Sequence, residues 1–185
     1  MDQLFQDLML DIKKKNGGHI LYHYKDEQIY IDNTVSFIIK AIKSGNHVLL
    51  LENERNFNII ETVLKQRLTD TEYKKLHYIN NFDFYCYNGN FHPETVCNYF
   101  IKNIEPYLEG KYNLCTWGLV EWRDDEKIIE SIFQYEKSID PYITQHGIFS
   151  VCAYDANRTN DKMINLLLKC HDYLLTDEEI KHLVN

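Results

Sequence analysis

The chain has 185 residues, enough for one domain with a substantial core and short for two. Its aromatic content of 14%, which includes 14 tyrosines, supplies large rings that can line a pocket or an interface. The net charge of -8, with basic residues scattered along the chain, disfavours nucleic acid and anionic membranes as partners.

The cysteines predict a reduced protein with a cytoplasmic location. Their number is odd, their spacing is wide, and none forms the C-x-x-C pair of a redox or metal motif. The sequence has no basic-then-apolar leader and no long uncharged apolar run, so neither export nor a membrane span is expected. The five cysteines are Cys86, Cys97, Cys115, Cys152 and Cys170.

Residues 1–17 are predicted to form a leading helix, because apolar residues recur at helical spacing until Gly17 and Gly18 stop the pattern. Residues 18–185 are predicted to form a single α/β domain, since short β-rich runs alternate with longer segments of helical periodicity. This alternation is typical of a three-layer fold with a mostly parallel central sheet of about five or more strands. The predicted strands cover residues 20–24, 47–51, 77–80, 114–117 and 149–154.

The predicted helices lie between these strands. The first should run from Glu27 to Ser44, and the third should open at Pro93, because proline suits the first helical position. Pro106 should kink or end that third helix, since a proline inside a helix removes a hydrogen bond. The acidic residues 124–126 should start a fourth helix, and a final helix should extend over residues 164–175.

Two shorter segments are also predicted. A helical turn capped at Thr69 or Asp70 should precede the third strand. Residues 80–90 should form a loop or a hairpin tip, because the Asn88-Gly89 pair suits a positive φ angle.

The connection after the first strand lacks a phosphate-binding loop. That strand ends at Tyr24, and Lys25 to Gln28 lead directly into a helix, where a nucleotide-binding α/β protein has glycines. No cofactor is therefore predicted.

The carboxyl ends of the strands are the expected ligand site, because ligands usually bind there in parallel α/β sheets. In residues 117–122 two tryptophans bracket Glu121, and a ligand pocket or a closed core edge explains this segment equally well. Single carboxylates and amides at strand ends can also be helix caps. The predicted ligand-binding residues are Tyr22, Tyr24, Glu52, Asn53, Asp83, Trp117, Glu121, Trp122, Tyr154 and Asp155.

No metal site and no catalytic residue are predicted. His19 and His23 lie four apart on one face of a strand, but no H-E-x-x-H motif, cysteine pair or helical Glu-x-x-His set accompanies them. His171 falls in an apolar stripe, where a hydrogen-bonded core histidine is expected, and the adjacent Cys170 points elsewhere. No serine stands in a G-x-S-x-G motif.

Four segments, in their order, resemble the MEDS family, the sensory domains of methanogens and methylotrophs. They are residues 19–24 (HILYHY), 47–54 (HVLLLENE), 116–122 (TWGLVEW) and 152–155 (CAYD), and the resemblance extends over about residues 18–178. It implies a fold like that of RecA and circadian-clock ATPases without a Walker A loop, and a sensor of small hydrocarbon-derived molecules. Many relatives carry a DNA-binding or signalling module that is missing here, so output through a protein partner or a homo-oligomer is implied.

Three functions remain open, and the first is favoured because no catalytic motif is present. The first is a sensory domain that binds a small molecule at the strand ends and transmits a signal without catalysis. The second is a degenerate nucleotide-binding or small-molecule-hydrolysing enzyme with Glu52, Asp83 or Glu121 as general base. The third is a protein-interaction module with an aromatic surface.

Overall fold

Seven strands form one sheet in the computed structural model, which describes residue 8, residues 17–87 and residues 89–183. They are β1 (Gly18–Tyr24), β2 (His47–Glu52), β3 (Leu76–Asn80), β4 (Leu114–Leu119), β5 (Phe149–Asp155), β6 (Tyr173–Leu175) and β7 (Ile180–His182). Their order is β3-β2-β4-β5-β1-β6-β7, and neighbours are parallel except for β6 with β7. The predicted mostly parallel sheet is confirmed, and β6 and β7 extend it at one edge.

Helices cover both faces of this sheet, which confirms the three-layer α/β class. In the described ranges they are α1 (Glu27–Lys43), α2 (Glu54–Arg67), α3 (Asp70–Tyr73), α4 (Asn81–Tyr85), α5 (Pro93–Glu109), α6 (Ile128–Gln145) and α7 (Asp161–Leu167). The first face packs against α1 and α2, and the second face against α4 to α7. None of these helices has the length and apolar character that crossing a bilayer requires.

The predicted leading helix over residues 1–17 lies outside the described residues, apart from Leu8 and Gly17. Leu8 is helical and buried in the core of the first face.

Alternation along the strands divides their side chains between two cores. On β1, Ile20 and Tyr22 belong to the first core, whereas Leu21 belongs to the second. This follows because successive side chains of a strand point to opposite faces of the sheet. Since both faces are covered, the central strands are apolar on both sides. Because β1 to β6 are parallel, their carboxyl ends lie along one edge, the carboxyl edge of the sheet.

Short polar side chains begin several helices next to strand ends. The Asp26 side chain accepts a hydrogen bond from the Ile29 N–H at the start of α1, and Asn53 caps α2. Thr69 forms a capping box with Glu72 before α3, which confirms the predicted helical turn.

The prediction of a loop or hairpin tip over residues 80–90 is wrong for its first part, because residues 81–85 form α4. The Asn80 side chain accepts hydrogen bonds from the N–H groups of Phe82 and Asp83 and so caps this short helix. Phe84 is buried in the second core. Residues 80–85 therefore consist of a helix cap followed by a single helical turn.

Pro106 does not end its helix, and the predicted start of the fourth helix is wrong. Helix α5 continues through Pro106 to Glu109, and the Gly110 N–H donates to the Pro106 carbonyl over 3.1 Å to close its last turn. A proline lacks one backbone N–H, so the helix loses one hydrogen bond at Pro106 and still continues to Glu109. Helix α6 begins at Ile128 rather than at residues 124–126, which belong to an irregular connection that ends in a turn.

The predicted final helix over residues 164–175 ends early. Helix α7 stops at Leu167, and residues 173–175 form β6, which pairs with β1. Leu175 fits the apolar stripe of a helix as well as the alternation of a strand. Pairing with a neighbouring strand decided between the two structures, and that pairing is not visible in the local sequence.

Candidate functional site

Tyr22, Tyr24, Tyr30 and Trp117 form an aromatic cluster near the carboxyl edge, on the first face of the sheet. Tyr24 stacks on Tyr30 with ring centroids 4.4 Å apart, and Trp117 meets Tyr22 edge-on at 5.7 Å. The Trp117 Nε1–H donates to the Tyr30 hydroxyl over 3.1 Å. Tyr24 is 7% exposed and the other three rings are fully buried, so the polar ends of the rings are held inside the protein.

Glu52 ends β2 beside the aromatic cluster as a fully buried carboxyl group. Its Oε2 accepts a hydrogen bond of 2.5 Å from the Tyr30 hydroxyl, and its Oε1 accepts from the backbone and side-chain N–H groups of Asn53 at 2.9 and 3.0 Å. Burial raises the pKa of Glu52 to about 7, although these hydrogen bonds act in the opposite direction. The group therefore titrates near neutral pH, as a general base or a proton-responsive ligand contact does.

Asp177, in the turn between β6 and β7, holds the connection between β1 and α1. Its Oδ2 accepts hydrogen bonds from the N–H groups of Lys25 and Asp26 at 2.9 and 3.0 Å. Its Oδ1 accepts from the Tyr22 hydroxyl at 3.0 Å. Backbone N–H groups at this connection bind phosphate in nucleotide-binding α/β proteins. A carboxylate of the chain itself takes these donors here, in agreement with the missing glycine-rich loop.

Arg158 joins the connections that follow β4 and β5 on the second face. Its guanidinium donates to Glu121 Oε1 and to the Trp122 carbonyl, both over 2.7 Å. It also lies over the Trp122 ring, 4.2 Å from the centroid, and this ring lies 5.9 Å from that of Tyr154. The Trp122 ring is therefore covered by the Arg158 side chain and by the residues of the second core.

Replacing Arg158 with alanine is expected to lower the free energy of unfolding by about 1 kcal/mol. The loss is modest because Arg158 is 39% exposed, so water already weakens its ion pair. Arg158→Lys keeps the charge but not the forked donors, and should recover only part of the loss. Urea denaturation followed by circular dichroism measures the stability of both variants. Full recovery by lysine would show that the two guanidinium hydrogen bonds of Arg158 do not contribute to stability.

The sheet separates most of the predicted ligand-binding residues into two groups. Trp117 belongs to the first core and Trp122 to the second, so the two tryptophans do not bracket a common space around Glu121. Trp117 is 0% and Trp122 4% exposed, as side chains that close a core edge should be. The first-face group is Tyr22, Tyr24, Glu52, Asn53 and Trp117, and the second-face group is Glu121, Trp122 and Tyr154.

Asp83 and Asp155 lie outside these two groups. Asp83 is exposed on α4. The Asp155 side chain accepts hydrogen bonds from the backbone and side-chain N–H groups of Asn157 at 2.8 and 3.0 Å, and so caps the turn after β5. Ligand binding by any of the predicted residues stays a prediction.

A buried polar cluster of His19, Glu136, Cys152 and His171, which the sequence did not predict, lies inside the second core. His19 lies in β1, Glu136 in the middle of α6, Cys152 in β5, and His171 just before β6. Each is at most 3% exposed. The His19 Nε2 atom lies 3.2 Å from Glu136 Oε2 and 3.3 Å from Cys152 Sγ. Four separate elements therefore bring titratable side chains to one point.

The buried polar cluster contains an ion pair between His19 and Glu136. Burial opposes a charge on His19, but Cys152 and Asp140 beside its ring raise its pKa well above the ordinary value. Burial also opposes a charge on Glu136, yet the two histidines hold the pKa of its carboxyl below the ordinary value. Burial and the nearby charge of His19 lower the pKa of His171 to about 3, so this imidazole is neutral.

His23, the histidine that the sequence placed on one strand face with His19, takes no part in this cluster. Its Nε2 lies 2.6 Å from Thr159 Oγ1. The expectation that His171 is a hydrogen-bonded core histidine is confirmed, since its ring nitrogen Nδ1 lies 2.7 Å from the Leu167 carbonyl oxygen. The one available signal for the cluster was Glu136, a carboxylate within the apolar stripe of α6.

The fold is similar to that of a KaiC-like protein from the hyperthermophilic archaeon Pyrococcus horikoshii. The TM-score is 0.55 at 10% identity, over 89% of this chain and 76% of that chain. It is also similar to an uncharacterized protein of the same organism in complex with an unknown peptide, with a TM-score of 0.57 at 13% identity, over 86% and 77% of the two chains. At such identities the likeness shows the fold alone, and it confirms the RecA-like architecture.

No curated protein matches this sequence. Residues 18–172 match the family described as MEDS, the MEthanogen/methylotroph, DcmR Sensory domain. The match runs from β1 past α7, which is far more than half of the chain, and it confirms the resemblance seen in the sequence. The chain therefore belongs to the MEDS family of sensory domains.

Proposed function

We propose that this protein binds a small organic molecule at the carboxyl edge and transmits the signal, without catalysis, to a protein partner or a second copy of itself in the cytoplasm. Membership of the MEDS family supports the sensory role. The carboxyl edge is the proposed binding site because ligands usually bind beyond the carboxyl ends of the strands in parallel α/β sheets. Tyrosine rings such as those of Tyr22 and Tyr30 suit a ligand with an apolar body and one hydrogen-bonding group.

The observation that carries this proposal is the hydrogen bond between Tyr22 and Asp177. The Tyr22 ring belongs to the aromatic cluster, whereas Asp177 lies in a turn in which Glu178 and Glu179 are exposed. One contact of 3.0 Å therefore connects the interior of the candidate site with the protein surface. A ligand that moves the ring changes the turn through this contact.

We expect the ligand to compete with Asp177 for the Tyr22 hydroxyl and for the N–H groups of Lys25 and Asp26. Binding then releases the turn between β6 and β7, and this displacement needs no chemical step. The two strands have only 3 residues each and lie at the end of the sheet, so few hydrogen bonds hold them. The released hairpin is the surface that a partner would recognise.

The positions of the two tryptophans on opposite faces allow a direct test. Trp122→Phe leaves Trp117 as a reporter of the aromatic cluster, and Trp117→Phe leaves Trp122 as the matched control. Compounds that raise the melting temperature in a screen of small hydrocarbon derivatives, metabolites and nucleotides are titrated into both variants. The emission of Trp117 should change and that of Trp122 should not. A change confined to Trp122 would contradict the site, and no stabilising compound at all would favour the protein-interaction module.

Asp177→Asn should increase the affinity for such a compound by at least about threefold, because the variant weakens the group that competes with it. The amide also loses charge-assisted hydrogen bonds, so the free energy of unfolding should fall by about 1–2 kcal/mol. Isothermal titration of the wild type and the variant measures the affinity. Asp70→Asn, an exposed change on α3, should keep the wild-type affinity. Equal affinity of Asp177→Asn and the wild type would refute displacement.

The alternative is an enzyme with Glu52 as general base, and the pKa of about 7 favours it. Both oxygens of Glu52 accept hydrogen bonds from the chain, however, so neither oxygen is directed at a substrate in this arrangement. Of the other predicted bases, Asp83 is exposed and Glu121 is paired with Arg158. Glu52→Gln distinguishes the functions, because it abolishes turnover by an enzyme and leaves binding by a sensor.

A further inference from the structure

We infer that His19, Glu136, Cys152 and His171, the buried polar cluster, form a binding site for a zinc ion inside the second core. Their four ligand atoms all lie within 4.8 Å of one another. Two imidazoles, a thiolate and a carboxylate are ligands that zinc takes in proteins. Four protein ligands in a closed site are typical of structural zinc, which holds separate elements together.

The separations between the ligand atoms are close to those of a tetrahedral zinc site. Zinc bonds of about 2.0 to 2.3 Å place neighbouring ligand atoms roughly 3.3 to 3.8 Å apart. His19 Nε2 lies 3.2 Å from Glu136 Oε2 and 3.3 Å from Cys152 Sγ, and Glu136 Oε2 lies 3.8 Å from His171 Nε2. All four ligand atoms lie within 4.8 Å of one another, so the remaining pairs need to contract by up to about 1.5 Å to reach these separations.

The outer contacts of both imidazoles direct the same ring nitrogen toward the centre of the cluster. The His19 Nδ1 atom lies 3.0 Å from the Cys170 carbonyl oxygen and 3.2 Å from Asp140 Oδ1. The His171 Nδ1 atom lies 2.7 Å from the Leu167 carbonyl oxygen. Histidines that bind metals have this arrangement, in which the outer N–H donates to a carbonyl or carboxylate and the inner nitrogen faces the ion.

The carboxylate is oriented in a similar way. The Tyr154 hydroxyl donates a hydrogen bond to Glu136 Oε1, so Oε2 is the oxygen that faces both imidazoles. Glu136 comes from an 18-residue helix, and Tyr154 and Cys152 come from a central strand. Ligands on such rigid elements keep their geometry better than ligands on loops.

The charge of the cluster also suits a divalent cation. A thiolate and a carboxylate supply two negative charges, which Zn²⁺ neutralises, so that the closed site has no net charge. The ion would connect β1, β5, α6 and the segment before β6 across the second core. This site lies on the face of the sheet opposite the aromatic cluster, and the inference does not depend on the proposed sensory function.

Metal content and cobalt spectroscopy test the site. The full chain is unfolded, refolded with Zn²⁺ or Co²⁺, freed of loose metal and analysed by mass spectrometry and absorption. The wild type should retain about one ion per chain, and bound Co²⁺ should show the charge-transfer band of a thiolate ligand. Cys152→Ser should lose this band and bind the ion at least about tenfold more weakly. Cys115→Ser removes a buried thiol from β4 on the other face and should keep both properties.

Two results would overturn the inference. One is a wild-type chain that refolds without retaining metal, which would leave the cluster as a hydrogen-bonded ion pair in the core. The other is a thiolate band that persists in Cys152→Ser, which would place the ion elsewhere. If Cys152→Ser does not fold, His171→Asn serves as the second variant, and an unchanged affinity for Co²⁺ in that variant would equally overturn the site.

Discussion

Trp117→Ala is expected to lower the free energy of unfolding by about 3–5 kcal/mol, the usual cost of truncating a large buried ring. The indole is fully buried, and its ring centroid lies 4.9 Å from that of Phe37 and 5.7 Å from that of Tyr22. Its Nε1–H also donates to the Tyr30 hydroxyl. Truncation removes these contacts and leaves a cavity between the sheet and α1. Urea denaturation followed by far-ultraviolet circular dichroism measures the loss.

Two controls make this result specific. Trp117→Phe keeps much of the apolar volume and should cost about 1–2 kcal/mol. Tyr112→Ala truncates a ring that is 55% exposed and should change the free energy by less than about 0.5 kcal/mol. If Trp117→Ala costs less than about 1 kcal/mol, the indole borders an open pocket rather than a closed core edge.

Glu52→Gln is expected to remove about 3 kcal/mol of pH dependence from the stability of the protein. Burial raises the pKa of this carboxyl from 4.5 to about 7 in the folded chain. Between these two values the folded chain keeps a proton that the unfolded chain has lost, so the stability of the wild type falls as the pH rises. Below this window both states hold the proton, and above it neither does, so the effect is confined to the window.

The difference in unfolding free energy between the wild type and Glu52→Gln, measured from about pH 4.5 to pH 8, isolates this group from other titrating side chains. As the pH rises, the unfolding free energy of the wild type should fall relative to that of Glu52→Gln. Tyr30→Phe acts in the opposite direction, because it removes a hydrogen bond that lowers the pKa of Glu52, and should extend the window to higher pH. Parallel curves for the wild type and Glu52→Gln would show that the folded state does not raise this pKa.

The α/β class and most element positions could be predicted from the sequence. The first helix was expected over residues 27–44 and is found at Glu27–Lys43, and the second strand was expected over residues 47–51 and is found at His47–Glu52. These elements carry their own apolar periodicity and their own stop signals, which are local properties. Residues 164–175 carry a pattern compatible with both helix and strand, so only the partner strand could decide their structure.

The candidate site was predictable in part for a similar reason. Tyr22, Glu52 and Trp117 could be assigned to one edge because the carboxyl ends of parallel strands meet there. The assignment of Trp117 and Trp122 to opposite faces was missed, although their odd separation along an extended segment already predicts it. Tyr30 and Asp177 were missed because a helix and a distant turn bring them to that edge.

The α/β class, the missing phosphate loop and the aromatic strand ends follow from local sequence, because these features depend on residues that are neighbours in the chain. The contacts of Asp177 with the N–H groups of Lys25 and Asp26, and of His19 with Cys152 and His171, follow from the folded arrangement of the strands. These contacts join residues more than a hundred positions apart, and they form because β1 pairs with β5 on one side and with β6 on the other. No local pattern records which strands will be neighbours in the sheet.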